Sequence, residues 1–164
     1  MENTDEARLG KRLKMPKHYQ AAKGDEIISW SSVADKLAQA RNYWLATTNP
    51  DGRPHVTPVW GAWVADIFYF DGIFTARWAR NLASNPAASI HLESGDEVVI
   101  VEGKVDDVAA DQDLAARIIA EWQEKYGRLL PEPTGGMYRL IPRVARAWSR
   151  FPDDATRWEF EVSR

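Results

Sequence analysis

Residues 43–82, YWLATTNPDGRPHVTPVWGAWVADIFYFDGIFTARWARNL, carry the pattern that decides the fold. Short runs rich in Thr, Val and aromatic residues alternate with turns containing Pro, Asp and Gly, which is typical of antiparallel strands on tight connections. The segment Asn49-Pro50-Asp51-Gly52 is such a turn, because proline presets φ and glycine accepts positive φ. The stretch therefore predicts strands over residues 43–48, 54–64 and 67–70.

The remainder of the chain predicts further strands and three helices. The helices are expected to begin at Ser31-Ser32, at Thr75 as an N-cap, and at Asp111, with Gly127 as the C-cap of the last. Six or seven mostly antiparallel strands with two or three helices indicate a mainly β (α+β) protein, built as a closed or split β-barrel because closure removes sheet edges. The further strands are predicted over residues 88–93, 98–108, 137–151 and 156–162.

Length and composition predict one domain. The chain has 164 residues, a net charge of −3 and a pI of about 5.6. Residues 1–25 are charged and lack periodicity, so we expect a flexible arm or an arm against a partner subunit, followed by a single domain over residues 26–164. The acidic balance argues against nucleic-acid binding, which normally needs a basic surface.

The composition also narrows the chemistry and the location. The chain has no Cys, which excludes disulfides, thiolate nucleophiles and Cys-based metal sites. The three histidines, His18, His55 and His91, are scattered, so no metal site is predicted. No apolar run approaches the length of a membrane span, and the first 24 residues lack the apolar core of a secretory signal. We expect a cytoplasmic protein without membrane partners.

The segment FTARWARNL, residues 74–82, is the candidate binding motif. Arg77 and Arg80 are three residues apart in the first turns of a predicted helix, where free N–H groups and the helix dipole attract anions. Arginine can grip a phosphate with two parallel hydrogen bonds, and Thr75 adds a hydroxyl. The alternative interpretation is a solvated helix with two surface arginines.

Several motifs resemble one known superfamily. NPDGRPHVTPVW (residues 49–60), FYF (68–70), TARWARNLASNPAASIHLE (75–93) and VVIVEGKV (98–105) follow its order, as do YRLIPRVARAW (138–148) and ATRWEF (155–160). The sequence is similar to the pyridoxamine 5′-phosphate oxidase-like superfamily, and within it to the flavin- and deazaflavin-dependent oxidoreductases. The resemblance implies an FMN-binding type of split β-barrel that forms a homodimer with two cofactor sites at the subunit interface.

The resemblance also assigns residues to the cofactor. Arg77 and Arg80 would approach its phosphate, with Thr75 beside them. Trp148 would reach the cofactor from the second subunit, and Arg157, beside Trp158, would close the pocket. The ring and its side chain would be flanked by Val56, Thr57, Pro58, Val59 and Trp60.

One position departs from the family pattern. Trp78 stands where related proteins commonly carry Lys, so one phosphate-binding cation is missing and only Arg77 and Arg80 remain to balance a charge of roughly −2. Three consequences are open: a lower affinity for the cofactor, a different cofactor, or an empty site. In a fourth alternative Trp78 stacks on an aromatic ring of the cofactor, which keeps binding. No catalytic residue is predicted, because a flavin or deazaflavin itself carries hydride.

The resemblance predicts an oxidoreductase that uses FMN or coenzyme F-420 and acts on a small unsaturated or quinone-like substrate. Lys11, Arg12, Lys14 and Lys17 would suit the acidic tail of F-420, or they form a solvated tail. A true pyridoxamine 5′-phosphate oxidase is disfavoured, since its arginine-rich FMN strand is replaced by VTPVW at residues 56–60. The alternatives are a non-catalytic carrier of flavin, F-420 or heme, and a structural dimer with a vestigial pocket.

Overall fold

The computed structural model describes residues 8–19, 26–108, 111–127 and 136–161. Within them the chain forms three helices, α1 (Trp30–Gln39), α2 (Arg77–Ser84) and α3 (Gln112–Tyr126). The strands are β1 (Lys11–Arg12), β2 (Tyr43–Thr48), β3 (Pro54–Val59), β4 (Ala62–Val64), β5 (Ile67–Asp71), β6 (Ala87–His91), β7 (Val98–Asp107), β8 (Met137–Trp148) and β9 (Thr156–Glu159).

All nine strands belong to one antiparallel sheet with the order β1-β9-β8-β7-β6-β2-β3. The long strand β8 pairs with β7 along one edge, whereas its other edge is shared by β5 at the start and β9 near the end. Strand β4 extends the sheet from β5. The prediction of a mainly β, antiparallel protein with two to three helices is confirmed.

The number of strands is nine rather than six or seven, for two reasons. The strand predicted over residues 54–64 breaks at Trp60 and Gly61 into β3 and β4. The two-residue strand β1, which the sequence did not predict, is the second additional strand. Helix α1 also begins earlier than the predicted start at Ser31-Ser32, because Ser29 is the N-cap: its Oγ accepts a hydrogen bond from the amide of Ser32.

The inner face of the sheet holds an aromatic core. Trp30 of α1 is almost fully buried and its ring lies 5.5 Å from that of Trp158 and 6.3 Å from that of Trp63, measured between ring centroids. The rings of Tyr43 and Phe68 are 4.3 Å apart in the same core. Strands from both ends of the chain therefore depend on one another for burial.

The described part of the N-terminal arm packs against the same chain. Strand β1 pairs with β9, and the amide of Leu13 donates to the carbonyl of Ala155 at 2.8 Å. The guanidinium of Arg8 forms a 3.0 Å ion pair with Asp66 and lies 4.2 Å from the ring centroid of Phe160. Residues 20–25 lie outside the described residues, and the division into an arm and one domain stays a prediction.

The last turn of α3 holds the junction between β3 and β4. The amide of Gly61 donates to the Tyr126 hydroxyl at 3.0 Å, and this hydroxyl also lies 3.0 Å from the Gly61 carbonyl. The Nζ of Lys125 donates to the same carbonyl at 3.3 Å and to the Tyr43 hydroxyl at 2.8 Å. The ring of Trp60 stacks on that of Tyr126, with centroids 4.6 Å apart.

We expect the free energy of unfolding to rise with pH in the range where Lys125 loses its proton. Burial lowers the pKa of Lys125 from 10.5 to about 8, although the nearby Glu121 acts in the opposite direction. Between these two values the unfolded chain binds more protons than the folded chain, so stability increases with pH. The destabilisation that comes from burying the charged Lys125 is fully present below the folded-state pKa of about 8, and it is relieved as the pH approaches the ordinary pKa of 10.5.

Urea denaturation across that pH range measures the effect. In Lys125→Met the rise is expected to disappear, whereas Lys104→Met, which removes an exposed lysine of β7, should keep it. Parallel curves for the wild type and Lys125→Met would contradict the assignment of the rise to Lys125.

Candidate functional site

The N-cap of helix α2 lies one residue after the predicted cap. Ala76 occupies the N-cap position in an extended conformation and makes no side-chain capping bond, so the prediction of Thr75 as the N-cap is wrong. Thr75 is exposed and belongs to the turn in which the Ala76 amide donates to the Ile73 carbonyl. The N-cap residue therefore gives the first-turn amides of α2 no side-chain acceptor, which leaves the positive end of the helix available to an anion.

Arg77 and Arg80 lie on the exposed side of α2. Neither guanidinium forms a hydrogen bond or an ion pair with any residue of the described segments. Arg77 lies near the turn between β2 and β3: hydrogen bonds from Arg53 hold the pKa of Asp51 below its ordinary value, and the charge of Arg77 acts in the same direction. The opposite side of the helix is buried and consists of Trp78, Ala79, Asn81 and Leu82.

Arg80 also lines a cavity of about 380 Å³ between α2, β7 and β8. Its apolar wall includes Phe74 and Tyr138, and its rim carries Asp106 and Asp107. The Asp106 carboxylate already accepts two hydrogen bonds from Arg139, at 2.7 and 3.1 Å. Of the predicted site residues only Arg80 lines this cavity, so the two arginines share an exposed helix surface rather than one enclosed pocket.

Strand β3 is an edge of the sheet next to this helix. Among the described strands it pairs only with β2, and α2 packs against both. Val56 is 50% exposed, and Trp60, directly after the strand, is 43% exposed. Pro54 and Pro58 have no amide hydrogen to donate, which is tolerated at such an edge. Of the predicted ring-binding residues, Val56, Pro58 and Trp60 are thus exposed, whereas Thr57 and Val59 point to the opposite face of the strand and are half-buried, Val59 against the core.

A polar contact that the sequence analysis did not identify joins α2 to the sheet. The Asn81 side-chain amide donates to the Thr47 hydroxyl at 3.0 Å, and this hydroxyl lies 3.5 Å from Nδ1 of His55 on β3. Asn81 is 1% exposed. Helical periodicity is the signal that was available, because it places Asn81 on the same face as Trp78 and Leu82, where a polar residue requires a buried partner.

The same corner contains acceptors without donors. The side-chain oxygens of Asn49 and Asn81 are buried and have no hydrogen-bond partner among the described residues. Asn49 belongs to the turn that precedes β3, and Asn81 lies one helical turn after Arg77. The free guanidinium groups and the accessible edge strand together suit a ligand with an anionic tail and a flat ring.

Trp78 lies in the core and not on the exposed side of α2. It is 8% exposed, and its ring centroid lies 5.3 Å from that of Phe70 and 5.0 Å from that of Tyr138. The structure therefore places Trp78 in the core rather than beside Arg77 and Arg80, and its assignment to the cofactor site stays a prediction. The Trp78 side chain faces the sheet. A Cβ at Gly72 would approach the indole to 2.4 Å, so the ring is closely confined.

Trp148 and Arg157 lie at the other end of the strand order. Trp148 ends β8 and packs on Phe151, with ring centroids 5.4 Å apart. Arg157, on β9, forms an ion pair with Glu159. Strands β7, β6 and β2 separate β8 from β3 along the sheet path. The chain's own sheet path does not place these two residues beside the arginines of α2.

The described residues offer neither a metal site nor a membrane-spanning helix. Residues 8–19, 26–108, 111–127 and 136–161 contain no group of three or more His, Asp or Glu side chains able to hold a metal ion. His91 uses its Nδ1 for a 2.8 Å hydrogen bond with the Leu92 carbonyl. No helix in this part of the chain has the length and apolarity needed to cross a membrane.

The architecture defines a class, the split-barrel proteins in which a short arginine-bearing helix packs beside an accessible edge strand. A family model described as pyridoxamine 5′-phosphate oxidase matches residues 30–150, and the chain belongs to this family. The resemblance seen in the sequence motifs is thereby confirmed at the level of the superfamily. A comparison with curated proteins finds no match.

Solved structures agree with the fold. A conserved hypothetical protein from Mycobacterium tuberculosis is 26% identical with a TM-score of 0.65, over 77% of this chain and 88% of that one. An F420 reductase is 26% identical with a TM-score of 0.50, over 66% and 90%. A heme binding protein from Mycobacterium smegmatis is 20% identical with a TM-score of 0.61, over 74% and 55%, and this likeness shows the fold alone.

We expect Trp78→Lys, which introduces the cation common in the family, to lower the free energy of unfolding by about 3 kcal/mol or more. The substitution removes two aromatic contacts and places an ammonium group against the core. Ala83→Lys, on the exposed side of α2, is the matched control and should change stability by no more than about 0.5 kcal/mol. Chemical denaturation measures both; equal losses would place the Trp78 side chain outside the core.

Proposed function

We propose that the protein is a homodimeric oxidoreductase that binds FMN or coenzyme F-420 and transfers hydride to a small unsaturated or quinone-like organic substrate. The flavin or deazaflavin, when bound, supplies the hydride chemistry. The chain's own residues then need only to bind the cofactor, orient it and exclude water. A cytoplasmic location is part of the same proposal.

One observation carries the proposal: Arg77 and Arg80 lie free of described partners on α2, directly beside the accessible edge strand β3. Two free guanidinium groups at a helix start are a suitable seat for a phosphate or another anionic tail. Val56 and Pro58 give β3 an exposed apolar surface on which a ring can lie, on the face of the strand opposite to the one that α2 contacts. Membership in the family and the likeness to an F420 reductase support the same assignment.

A carrier that binds a cofactor without turnover is the second candidate. The burial of Trp78 favours the carrier, because position 78 then supplies no cation to the phosphate. Only the two arginines, Arg77 and Arg80, remain for it. Asp106 and Asp107 beside Arg80 weaken the local positive potential further. The cofactor would then be flavin, F-420 or heme.

Two measurements separate the candidates. The absorbance spectrum of the purified protein, with mass spectrometry of whatever it carries, identifies the cofactor. Assays with reduced cofactor and a panel of enones and quinones then test turnover. Hydride transfer supports the oxidoreductase, whereas stable binding without turnover supports the carrier, and absence of binding to FMN, F-420 and heme would contradict both.

The outward face of the sheet supports the homodimer. Trp44, Ile100, Val144 and Trp148 are only half-buried there, although all are apolar. Cross-strand pairing aligns Glu102 with Val144 and brings Ile100 next to the Glu102–Arg146 ion pair of 2.6 Å. A second copy on this face would cover the apolar residues. It would also allow Trp148 and Arg157 of one subunit to approach the α2 and β3 of its partner.

We expect replacement of Arg77 and Arg80 together by Ala to weaken cofactor binding by at least about 2 kcal/mol, roughly 30-fold in Kd. Titration with FMN and with F-420 measures the change. The control is the double variant Arg117→Ala and Arg143→Ala, which removes the same charge from exposed positions on α3 and β8 and should leave Kd within about twofold. Equal dissociation constants for the wild type and the α2 variant would refute the assignment.

Light scattering at micromolar concentration should give twice the chain mass of 18.6 kDa. Val144→Glu buries a charge in the proposed interface and should give the single-chain mass. Ile119→Glu replaces an apolar residue of α3 that is 42% exposed, and it should remain dimeric. A wild-type protein of single-chain mass would remove the two-subunit site.

A further inference from the structure

The peptide group at the break between β3 and β4 is hydrogen-bonded by a helix instead of a strand. Both the amide and the carbonyl of the buried Gly61 are satisfied by Tyr126 and Lys125, which are the last two residues of α3. The Tyr126 hydroxyl also lies 2.8 Å from the Arg41 carbonyl, just before β2. The end of α3 therefore ties together the two chain segments that flank the edge of the sheet.

The geometry of Gly61 leaves little freedom at this junction. A Cβ there would lie 2.3 Å from the Phe68 ring and 2.6 Å from the Tyr69 carbonyl oxygen. On one side the junction is thus pressed against β5, and on the other it is held by the side chains of α3. Trp60, the residue that directly follows β3, is held in place by stacking on Tyr126.

The opposite end of β3 is fixed independently. In the turn before it, the amide of Asn49 donates to the Arg53 carbonyl at 2.9 Å, and the amide of Gly52 donates to the Asn49 carbonyl at 2.8 Å. Between these ends β3 has a described strand on one edge only. Its position relative to α2 consequently depends on β2 and on the two anchored ends.

We propose that Tyr126 and Lys125 are positioning residues for the binding strand β3: through the Gly61 peptide they set the position of β3 relative to α2. This inference rests on the proposed function, because it assumes that β3 flanks the ring of a bound cofactor. Tyr126 contacts one predicted site residue, Trp60, through the aromatic stack, whereas Lys125 bonds to Gly61 and Tyr43. A planar ligand needs its wall and its anionic seat at a fixed separation, and α3 maintains one of the two.

Tyr126→Phe is the sharpest variant, because it keeps the aromatic stack with Trp60 and removes only the hydroxyl. Tyr69→Phe is the matched control: Tyr69 is 3% exposed, packs in the small core cluster with Ile118 of α3, and its hydroxyl bonds to no described residue. Lys125→Met is a second variant that retains the aliphatic chain and removes the donor. Hydrogen–deuterium exchange of residues 54–61 without cofactor and titration with FMN and F-420 are measured for each.

The inference expects faster exchange at residues 54–61 and a Kd raised about fivefold in Tyr126→Phe, because the Gly61 amide loses its acceptor, with neither change in Tyr69→Phe. Lys125→Met should move both readouts in the same direction. Faster exchange with an unchanged Kd, or an equal effect of Tyr69→Phe, would overturn the positioning role while leaving the proposed function intact. A wild-type protein that binds neither cofactor would instead overturn the proposed function, and the positioning role with it.

Discussion

Strand β8 is the constraint on which the molecule depends. It pairs with β7 along one edge and divides the other edge between β5 and β9, so that three strands are aligned by this one. This arrangement brings Trp158, Phe68 and Tyr138 into one aromatic core. Because α2 packs on that core through Trp78, the position of the arginine-bearing helix is set by strands from the far end of the chain.

The candidate site is therefore assembled from elements with different kinds of support. Helix α2 is held on its buried side by aromatic packing of Trp78 and by the Asn81–Thr47 hydrogen bond. The edge strand β3 is held by a turn at one end and by α3 at the other. Arg77 and Arg80 are left with no described partner, which is the condition under which an arginine has most to gain from an anionic ligand. Proximity in sequence alone explains neither support.

Local signals predicted most of the elements, whereas contacts between distant residues escaped them. The turn at residues 49–52, the Asp111 cap and the left-handed Gly127 all follow from backbone preferences of single residues. The break at Gly61, the burial of Trp78 and the docking of Arg8 depend on partners many residues away, which periodicity does not register. The arginines followed from the chemistry of a helix start and the other candidate binding residues from the family pattern, whereas Asn81 was missed because an asparagine within an eight-residue helix gives a weak signal.

The two prolines of β3 have a consequence for how the protein behaves in a concentrated solution. An accessible edge strand normally invites a strand from another molecule, and such pairing leads to polymers. Pro54 and Pro58 remove two donors from this edge, so an incoming backbone would find an incomplete ladder. The protein can thus keep an edge open to a small ligand while discouraging its own aggregation.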